Sequence, residues 1–138
     1  MNAEEAQQHP RFVLLRHEGS PGYKPGEHWD LMFEVGRSLR TWALAEIPAA
    51  NRAIEAEQLP DHRLAYLEFE GPISGKRGRV TRVESGLYEL KSHSGVEWTV
   101  ELRGERLRGR LTLRRTSPDA DPWFCTFRPA SATGRGAT

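Results

Sequence analysis

A histidine and an aspartate two residues apart are the first residues of this sequence that suggest chemistry. His28 and Asp30 lie in an alternating segment, so in a strand both side chains point to one face, about 6.6 to 6.8 Å apart. His17 ends the preceding apolar segment and comes next to His28 if the two segments pair as a hairpin. Two imidazoles and a carboxylate suit Mn²⁺, Fe²⁺ or Zn²⁺ better than Ca²⁺ or Mg²⁺. The same spacing also allows a structural hydrogen-bonded pair without a metal.

A second group of polar residues occurs in the segment 61–71. His62, Tyr66 and Glu68 alternate with apolar residues, which predicts a strand that carries all three on one face. An imidazole and a phenol on one face can bind a phosphate oxygen or protonate a leaving group. An ordinary exposed strand face with a tyrosine at its rim shows the same pattern.

An arginine ladder, defined as Arg106, Arg108, Arg110 and Arg114, alternates with leucines. In a strand its members lie on one face about 7 Å apart, close to the spacing of phosphates in a nucleic-acid strand. The ladder therefore predicts a nucleic-acid-binding surface. Charged residues also prevent exposed strands from pairing with other chains, which is the simpler interpretation.

The elements that must position these residues are nearly all strands. Period-2 alternation interrupted by Gly, Pro and Ser predicts an all-β fold, a small single-domain β-barrel of about eight or nine mostly antiparallel strands with little helix. We expect the barrel to cover residues 11–129, with flexible termini at 1–10 and 130–138. Turns are predicted at Val35–Arg37, Ser85–Gly86 and Gly104–Glu105. The predicted strands are Arg11–His17, His28–Val35, Leu39–Ala45, His62–Phe69, Gly78–Val83, Gly86–Lys91, Val96–Leu102, Arg106–Arg114 and Trp123–Arg128.

Composition fits one globular domain in the cytoplasm. The chain has 138 residues, 37% hydrophobic and 28% charged, which excludes the disordered and collagen-like classes. The longest apolar run, Phe12–Leu15, is far shorter than the roughly 20 residues of a membrane span, and Met1–Gln8 lacks the features of a signal peptide. Because Cys125 is the only cysteine, an internal disulfide and a cysteine-based zinc site are both excluded.

Charge is divided unevenly between the two halves of the chain. Residues 1–70 contain 7 Lys and Arg against 12 Asp and Glu, and residues 71–138 contain 13 against 7. An acidic half suits divalent cations and a basic half suits phosphates, as a metal-assisted enzyme acting on nucleic acid requires. Two solvated faces explain the same division.

The polar residues lie in segments whose order matches a known pattern: Phe12–His17, His28–Glu34, Thr41–Leu44, Asp61–Gly71 and Asp121–Arg128. Together these segments resemble the 3′-phosphoesterase domain of bacterial DNA ligase D. The resemblance implies a β-barrel that binds Mn²⁺ and trims 3′ ends of DNA, removing terminal ribonucleosides and then the 3′-phosphate during end joining. It further implies that His17, His28 and Asp30 hold the metal, that His62 contacts the scissile phosphate, and that Tyr66 assists.

Two phosphate-binding residues of that family are replaced in this sequence. Met32 stands in place of an arginine, and Glu46 in place of a lysine. Losing the arginine removes up to two charge-assisted hydrogen bonds, each worth about 1.5 to 3 kcal/mol. The remaining candidates for phosphate binding are Lys24, Arg40 and Arg52.

The sequence therefore predicts a metal-dependent phosphoesterase that trims DNA 3′ ends, carrying a 3′-phosphate or a 3′-ribonucleotide, in repair and end joining. Its expected partners are DNA 3′ ends and a separate ligase or polymerase in trans, with no membrane. Met32 and Glu46 leave two alternatives open. One is a non-catalytic module that binds nucleic acid or a repair partner on the same barrel, and the other is a phosphoesterase for a different small phosphate ester.

Overall fold

The computed structural model describes residues 10–20 and 26–130. The predictions for Lys24 and for the flexible termini fall outside this part of the chain, except at its first and last residues. Within it, no helix is long and apolar enough to span a bilayer. The elements are one 3₁₀ helix, Leu64–Leu67, and the strands β1 Arg11–Ser20, β2 Gly26–Val35, β3 Ser38–Leu44, β4 Ile54–Arg63, β5 Gly71–Pro72, β6 Arg79–His93, β7 Glu97–Gly104, β8 Arg108–Arg114 and β9 Trp123–Pro129.

The strands form one closed antiparallel sheet. Neighbours follow the order β1, β2, β3, β4, β9, β8, β7, β6, and β6 also pairs with β1. These eight strands therefore make a ring, and the two-residue β5 adds to β6 outside it. The ring closes through long pairings except between β4 and β9, which pair only over Ile54–Ala56. The all-β prediction is confirmed, and the predicted turns at Val35–Arg37 and Gly104–Glu105 join β2 to β3 and β7 to β8.

The inward faces of the strands form an aromatic core. Phe33 and Trp42 are 0% and 1% exposed, and their rings meet edge to face at a centroid distance of 6.1 Å. Trp42 also contacts Trp98 and Trp123, at 5.8 and 5.4 Å. Burying a large apolar side chain stabilises a fold by roughly 1.5 to 3 kcal/mol, so this core determines which face of each strand points inward. The alternate residues of β1 and β2 must then face outward.

A smaller apolar cluster lies on the outer face of β1 and β2. Val13 and Leu15 alternate with core residues along β1, and they pack there with Met32 of β2. The 3₁₀ helix covers this cluster with Leu64 and Leu67. These two leucines are three residues apart, so they share one face of a 3₁₀ turn. The covered cluster lies beside the outward-facing polar residues that end β1 and begin β2.

One strand prediction is wrong in the segment that carries His62. The strand predicted over residues 62–69 ends at Arg63, because the helix that covers the smaller cluster begins there. On the predicted strand Ala65 and Phe69 would face inward, opposite His62 and Tyr66, whereas in the structure both are exposed. The strand lies earlier in the chain, where apolar and polar residues alternate from Ile54.

The predicted turn at Ser85–Gly86 is also wrong, since β6 runs without a break through both residues. Its first half pairs with β1 and its second half with β7. A Cβ on Gly86 would overlap the carbonyl oxygen of Arg103 on β7. This glycine therefore permits a close approach of two backbones instead of forming a turn.

Glu84 of β6 forms hydrogen bonds with the turn between β7 and β8. Its side chain is 5% exposed, and its carboxylate accepts backbone N–H groups of Arg106 at 2.5 Å, Leu107 at 2.6 Å and Ser85 at 3.1 Å. Burial raises the pKa of Glu84, but these N–H groups more than offset that effect and hold the pKa below its ordinary value of 4.5. The ionised carboxylate is therefore part of the folded structure at neutral pH.

Glu84→Gln is expected to lower the free energy of unfolding at pH 7 by about 2 to 3 kcal/mol, because charge-assisted hydrogen bonds are lost and one amide N–H₂ faces backbone donors. A carboxyl whose pKa is depressed by folding stabilises above its unfolded pKa and loses that effect as pH falls through its folded pKa. The difference between wild type and variant should therefore shrink below about pH 4.5. Urea denaturation at several pH values measures this difference in the free energy of unfolding. Glu89→Gln, on the exposed side of the same strand, is the control, and equal stabilities of Glu84→Gln and wild type at pH 7 would contradict the prediction.

Candidate metal centre

The β1–β2 hairpin brings the three predicted metal ligands together. His17 lies opposite His28 in the register of this pair, and their ring centroids are 4.8 Å apart. Asp30 follows His28 by two residues on the same outer face. One ligand atom from each of the three residues lies within 4.8 Å of the other two. We call these three residues the metal group.

Asp30 is the centre of the metal group. Its Oδ2 lies 3.2 Å from His17 Nδ1, and its Oδ1 lies 3.0 Å from His28 Nε2. Asp30 and His28 are buried, at 2% and 4% exposure, whereas His17 is half-buried. Asp30 Oδ1 makes no hydrogen bond of normal geometry, in spite of its short distance to His28. A buried carboxylate oxygen in this state needs a partner, and a cation held by the same atoms would supply one.

A backbone carbonyl determines the tautomer of His17. His17 Nε2 lies 2.7 Å from the carbonyl oxygen of Arg77. Because a carbonyl only accepts hydrogen bonds, Nε2 carries the hydrogen, and in the neutral ring Nδ1 keeps its lone pair facing Asp30. Metal-binding histidines commonly donate their other N–H to a backbone carbonyl in this way. His17 is therefore oriented as a ligand through Nδ1.

His17 and Asp30 shift each other's pKa in opposite directions. In the protonated ring Nδ1–H donates to Asp30, and this hydrogen bond raises the pKa of His17 against the opposite effect of burial. Burial raises the pKa of Asp30, but its contacts with His17 and His28 outweigh burial and hold that pKa below the usual value. Asp30 is therefore ionised at neutral pH, as a carboxylate ligand must be.

His62 and Tyr66 form a second group on the same outer face. Their rings meet edge to face at 5.7 Å, and Tyr66 packs against the smaller apolar cluster. His62 Nδ1 lies 2.8 Å from the carbonyl oxygen of Pro60, so Nδ1 carries a hydrogen and Nε2 is left to exchange a proton with a ligand. The smaller cluster, which contains Met32, lies between this pair and the metal group. Glu68, predicted on the same strand face, forms an ion pair with Arg11 instead.

The predicted phosphate-binding residues Arg40 and Arg52 point to other parts of the barrel, and the positions of Met32 and Glu46 supply no phosphate contact. Met32 is 1% exposed, inside the smaller cluster. Glu46 pairs with Arg52 at 2.6 Å, and Arg52 lines a recess on the outer wall formed by β8 and β9. Arg40 points into the barrel, with its guanidinium 5.1 Å from the ring centre of the core residue Trp98.

The arginine ladder lies on the wall of the barrel opposite the β1–β2 hairpin, since β8 is four positions from β2 in the ring. The strand begins two residues later than predicted, which leaves Arg106 in the preceding turn. Arg110 and Arg114 pair with Glu101 and Glu97 of β7, at 3.3 and 3.6 Å. The structure therefore separates the ladder from the metal group and partly neutralises it.

Arg77 had no predicted role in the site, and the tertiary structure places its backbone carbonyl against His17. Ser74 holds its guanidinium, accepting Nε–H at the carbonyl oxygen at 2.8 Å and Nη2–H at the hydroxyl at 3.2 Å. A Cβ on the adjacent Gly78 would overlap the carbonyl oxygen of Glu18, so β1 and the start of β6 approach closely here. Only the glycine beside the arginine signals this approach in the sequence, and it does not reveal which strand is approached.

The sequence is similar to proteins of known function. Residues 21–115 match the family model of the DNA ligase D 3′-phosphoesterase domain. The chain is 30% identical over 117 aligned residues to the multifunctional non-homologous end joining protein LigD of Pseudomonas aeruginosa. The alignment covers 78% of this chain and 13% of that relative, so the chain spans a small part of the relative's length.

Proposed function

The chain belongs to the DNA ligase D 3′-phosphoesterase family, and on this premise we propose that it is a metal-dependent phosphoesterase trimming DNA 3′ ends that carry a 3′-phosphate or a 3′-ribonucleotide. Family membership supports a role in processing DNA ends for non-homologous end joining. The observation that carries the proposal is the convergence of His17, His28 and Asp30 on the outer face of the barrel.

Mn²⁺ is the cofactor in this proposal. His17 Nδ1, His28 Nε2 and the Asp30 carboxylate would hold it, and three protein ligands leave positions for water and substrate. The buried Asp30 Oδ1, which has no hydrogen bond of normal geometry, supports the assignment. When bound, the cation supplies a Lewis acid for the phosphoryl group.

The residues of the chain orient the ligands and handle the proton. The Arg77 carbonyl keeps the His17 ring turned with Nδ1 toward Asp30. In the protonated ring, His62 Nε2–H would donate a proton to the leaving oxygen or a hydrogen bond to the phosphate, since Nδ1–H is already engaged by the Pro60 carbonyl. Tyr66, in ring contact with His62, would assist at the same phosphate through its hydroxyl.

The test is incubation of the purified protein with a 5′-labelled primer–template that ends in a 3′-phosphate or in one ribonucleotide, with Mn²⁺ or with EDTA. We expect Mn²⁺-dependent shortening or dephosphorylation of the primer. Full activity in EDTA, or no product with either substrate at saturating Mn²⁺, would contradict the proposal.

A second function has an observation in its favour. Met32 is enclosed in the smaller cluster and Glu46 is engaged by Arg52, so neither position supplies a phosphate contact. These losses favour a module that holds DNA or a repair partner without turnover. That function predicts salt-sensitive DNA binding by a protein that leaves both primers unchanged.

A further inference from the structure

A recess lies between the 3₁₀ helix and the segment that follows it. Its lining includes Arg63 and Tyr66 on one side, Ser74 and Arg77 on the other, and Phe69 between them. Its volume is about 260 Å³, just below the roughly 300 to 1,000 Å³ of typical ligand sites. It has room for one sugar–phosphate unit or one base, and not for a length of strand. We call it the Arg63–Arg77 recess.

Neither arginine of the recess is held by a carboxylate, in contrast to several other arginines among the described residues. Arg16, Arg52 and Arg110 each form an ion pair with a carboxylate. Within residues 10–20 and 26–130, Arg63 and Arg77 form no ion pair, and Ser74 alone fixes the Arg77 guanidinium through an oxygen of its backbone and one of its side chain. Two guanidiniums without a carboxylate partner on one recess are suited to an anion, above all to a phosphate.

The recess also offers aromatic surface. Phe69 is 38% exposed, and its ring meets the Tyr66 ring edge to face at 6.0 Å. An exposed phenyl ring held by a neighbouring ring provides a stacking platform for a nucleobase. Phosphate-binding and base-stacking groups on one recess match the chemistry of a nucleotide.

Arg77 joins the recess to the metal group. Its side chain lines the recess, and its carbonyl accepts the Nε2–H of His17 at 2.7 Å. A nucleotide bound by the Arg77 side chain would therefore contact the same residue whose carbonyl orients His17. Met32 removes a phosphate contact on the β2 side, whereas Arg77 offers a guanidinium, held by Ser74, from the segment that precedes β6.

We propose that the Arg63–Arg77 recess binds the terminal nucleotide of a DNA strand whose 3′ phosphate reaches the metal group, with the guanidiniums on phosphate oxygens and Phe69 against the base. This inference rests on the proposed phosphoesterase function. It assigns part of the phosphate contact to Arg77, a residue to which the sequence pattern gave no role.

The test measures binding without catalysis. Fluorescence anisotropy in EDTA follows a 5′-fluorescein oligonucleotide ending in a 3′-phosphate, with the same oligonucleotide ending in a 3′-hydroxyl for comparison. Arg77→Gln and Arg63→Gln should each raise Kd about tenfold for the 3′-phosphate end. Arg103→Gln removes the same charge from an exposed position on β7 and should leave Kd within twofold of wild type.

An oligonucleotide that ends in an abasic nucleotide tests whether Phe69 stacks on the terminal base. Phe69→Ala should weaken binding of the normal 3′-phosphate end several-fold and leave binding of the abasic end unchanged. Arg77→Gln should raise KM more than it lowers kcat, and its Mn²⁺ affinity should match wild type. A lower Mn²⁺ affinity would show that the Arg77 side chain acts only through the fold of its segment and would overturn the inference.

The binding measurements distinguish a failure of this inference from a failure of the proposed function. If the wild type trims DNA and the arginine variants bind the 3′-phosphate end as tightly as wild type, the recess assignment is wrong and the phosphoesterase stands. If the wild type does not trim but the arginine variants lose binding, the recess is supported as a nucleotide site and the phosphoesterase is not.

Discussion

Asp30→Asn is expected to lose Mn²⁺-dependent trimming of a 3′-phosphate primer by about a thousandfold or more. The substitution keeps the size of the side chain but removes the charge that faces both histidines, at 3.2 and 3.0 Å. A metal ion contributes several kcal/mol to stabilising a phosphoryl transition state, and each 1.4 kcal/mol corresponds to about a tenfold change in rate. Mn²⁺ affinity, measured by calorimetry, should fall at least tenfold in the same variant.

This variant also separates the metal centre from a structural His–Asp pair. If the pair is only structural, Asp30→Asn lowers the melting temperature and leaves trimming within tenfold of wild type. His28→Gln provides a second variant, because it removes a ligand without changing the carboxylate. Asp61→Asn is the matched control, since this exposed carboxylate accepts a hydrogen bond from Ser38 at 2.9 Å on another strand.

Gly78→Ala is expected to lower the free energy of unfolding by about 3 to 4 kcal/mol and to weaken Mn²⁺ binding with it. Gly78 has a φ of +94°, a conformation that costs side-chain-bearing residues about 1 to 2 kcal/mol. The added Cβ would also overlap the carbonyl oxygen of Glu18, so β1 and β6 must separate and lose backbone hydrogen bonds of about 1 kcal/mol each. The separation occurs next to His17 and its bond to the Arg77 carbonyl.

Gly75→Ala is the control for backbone conformation. Gly75 also has a positive φ, +74°, but the nearest atom to its added Cβ is Arg77 Nε at 3.6 Å, an ordinary contact. Gly75→Ala should lower the free energy of unfolding by only about 1 to 2 kcal/mol, which is the conformational part of the effect expected for Gly78→Ala. Urea denaturation compares the two variants. Equal losses of stability would show that the approach of β1 to Gly78 does not hold the site together.

The hairpin that carries the metal group was predictable from local pattern. Apolar residues at alternate positions of β1 and β2 determine which face is buried, and that choice puts His28 and Asp30 on the outer face. The pairing of His17 with His28 then follows from joining the two strands as neighbours. The all-β architecture was predictable for the same reason, because strand periodicity and turn residues can be recognised within short stretches of sequence.

The segment after β4 was not predictable in this way. Alternation around Tyr66 suggests a strand, but Leu64 and Leu67 gain burial only as a 3₁₀ turn over a cluster that other strands provide. The position of Arg77 depends on the pairing of β6 with β1, which joins residues about sixty positions apart, as the bond from His17 to its carbonyl shows.

The sequence by itself determined the metal group and the faces of its two strands, because both depend on spacings of two residues within neighbouring segments. The tertiary structure decided which basic residues stand near that group. It placed the arginine ladder on the opposite wall, enclosed Met32 under the 3₁₀ helix and brought Arg77 to His17. Such contacts arise from the closure of the barrel, and closure depends on packing among residues that no local pattern connects.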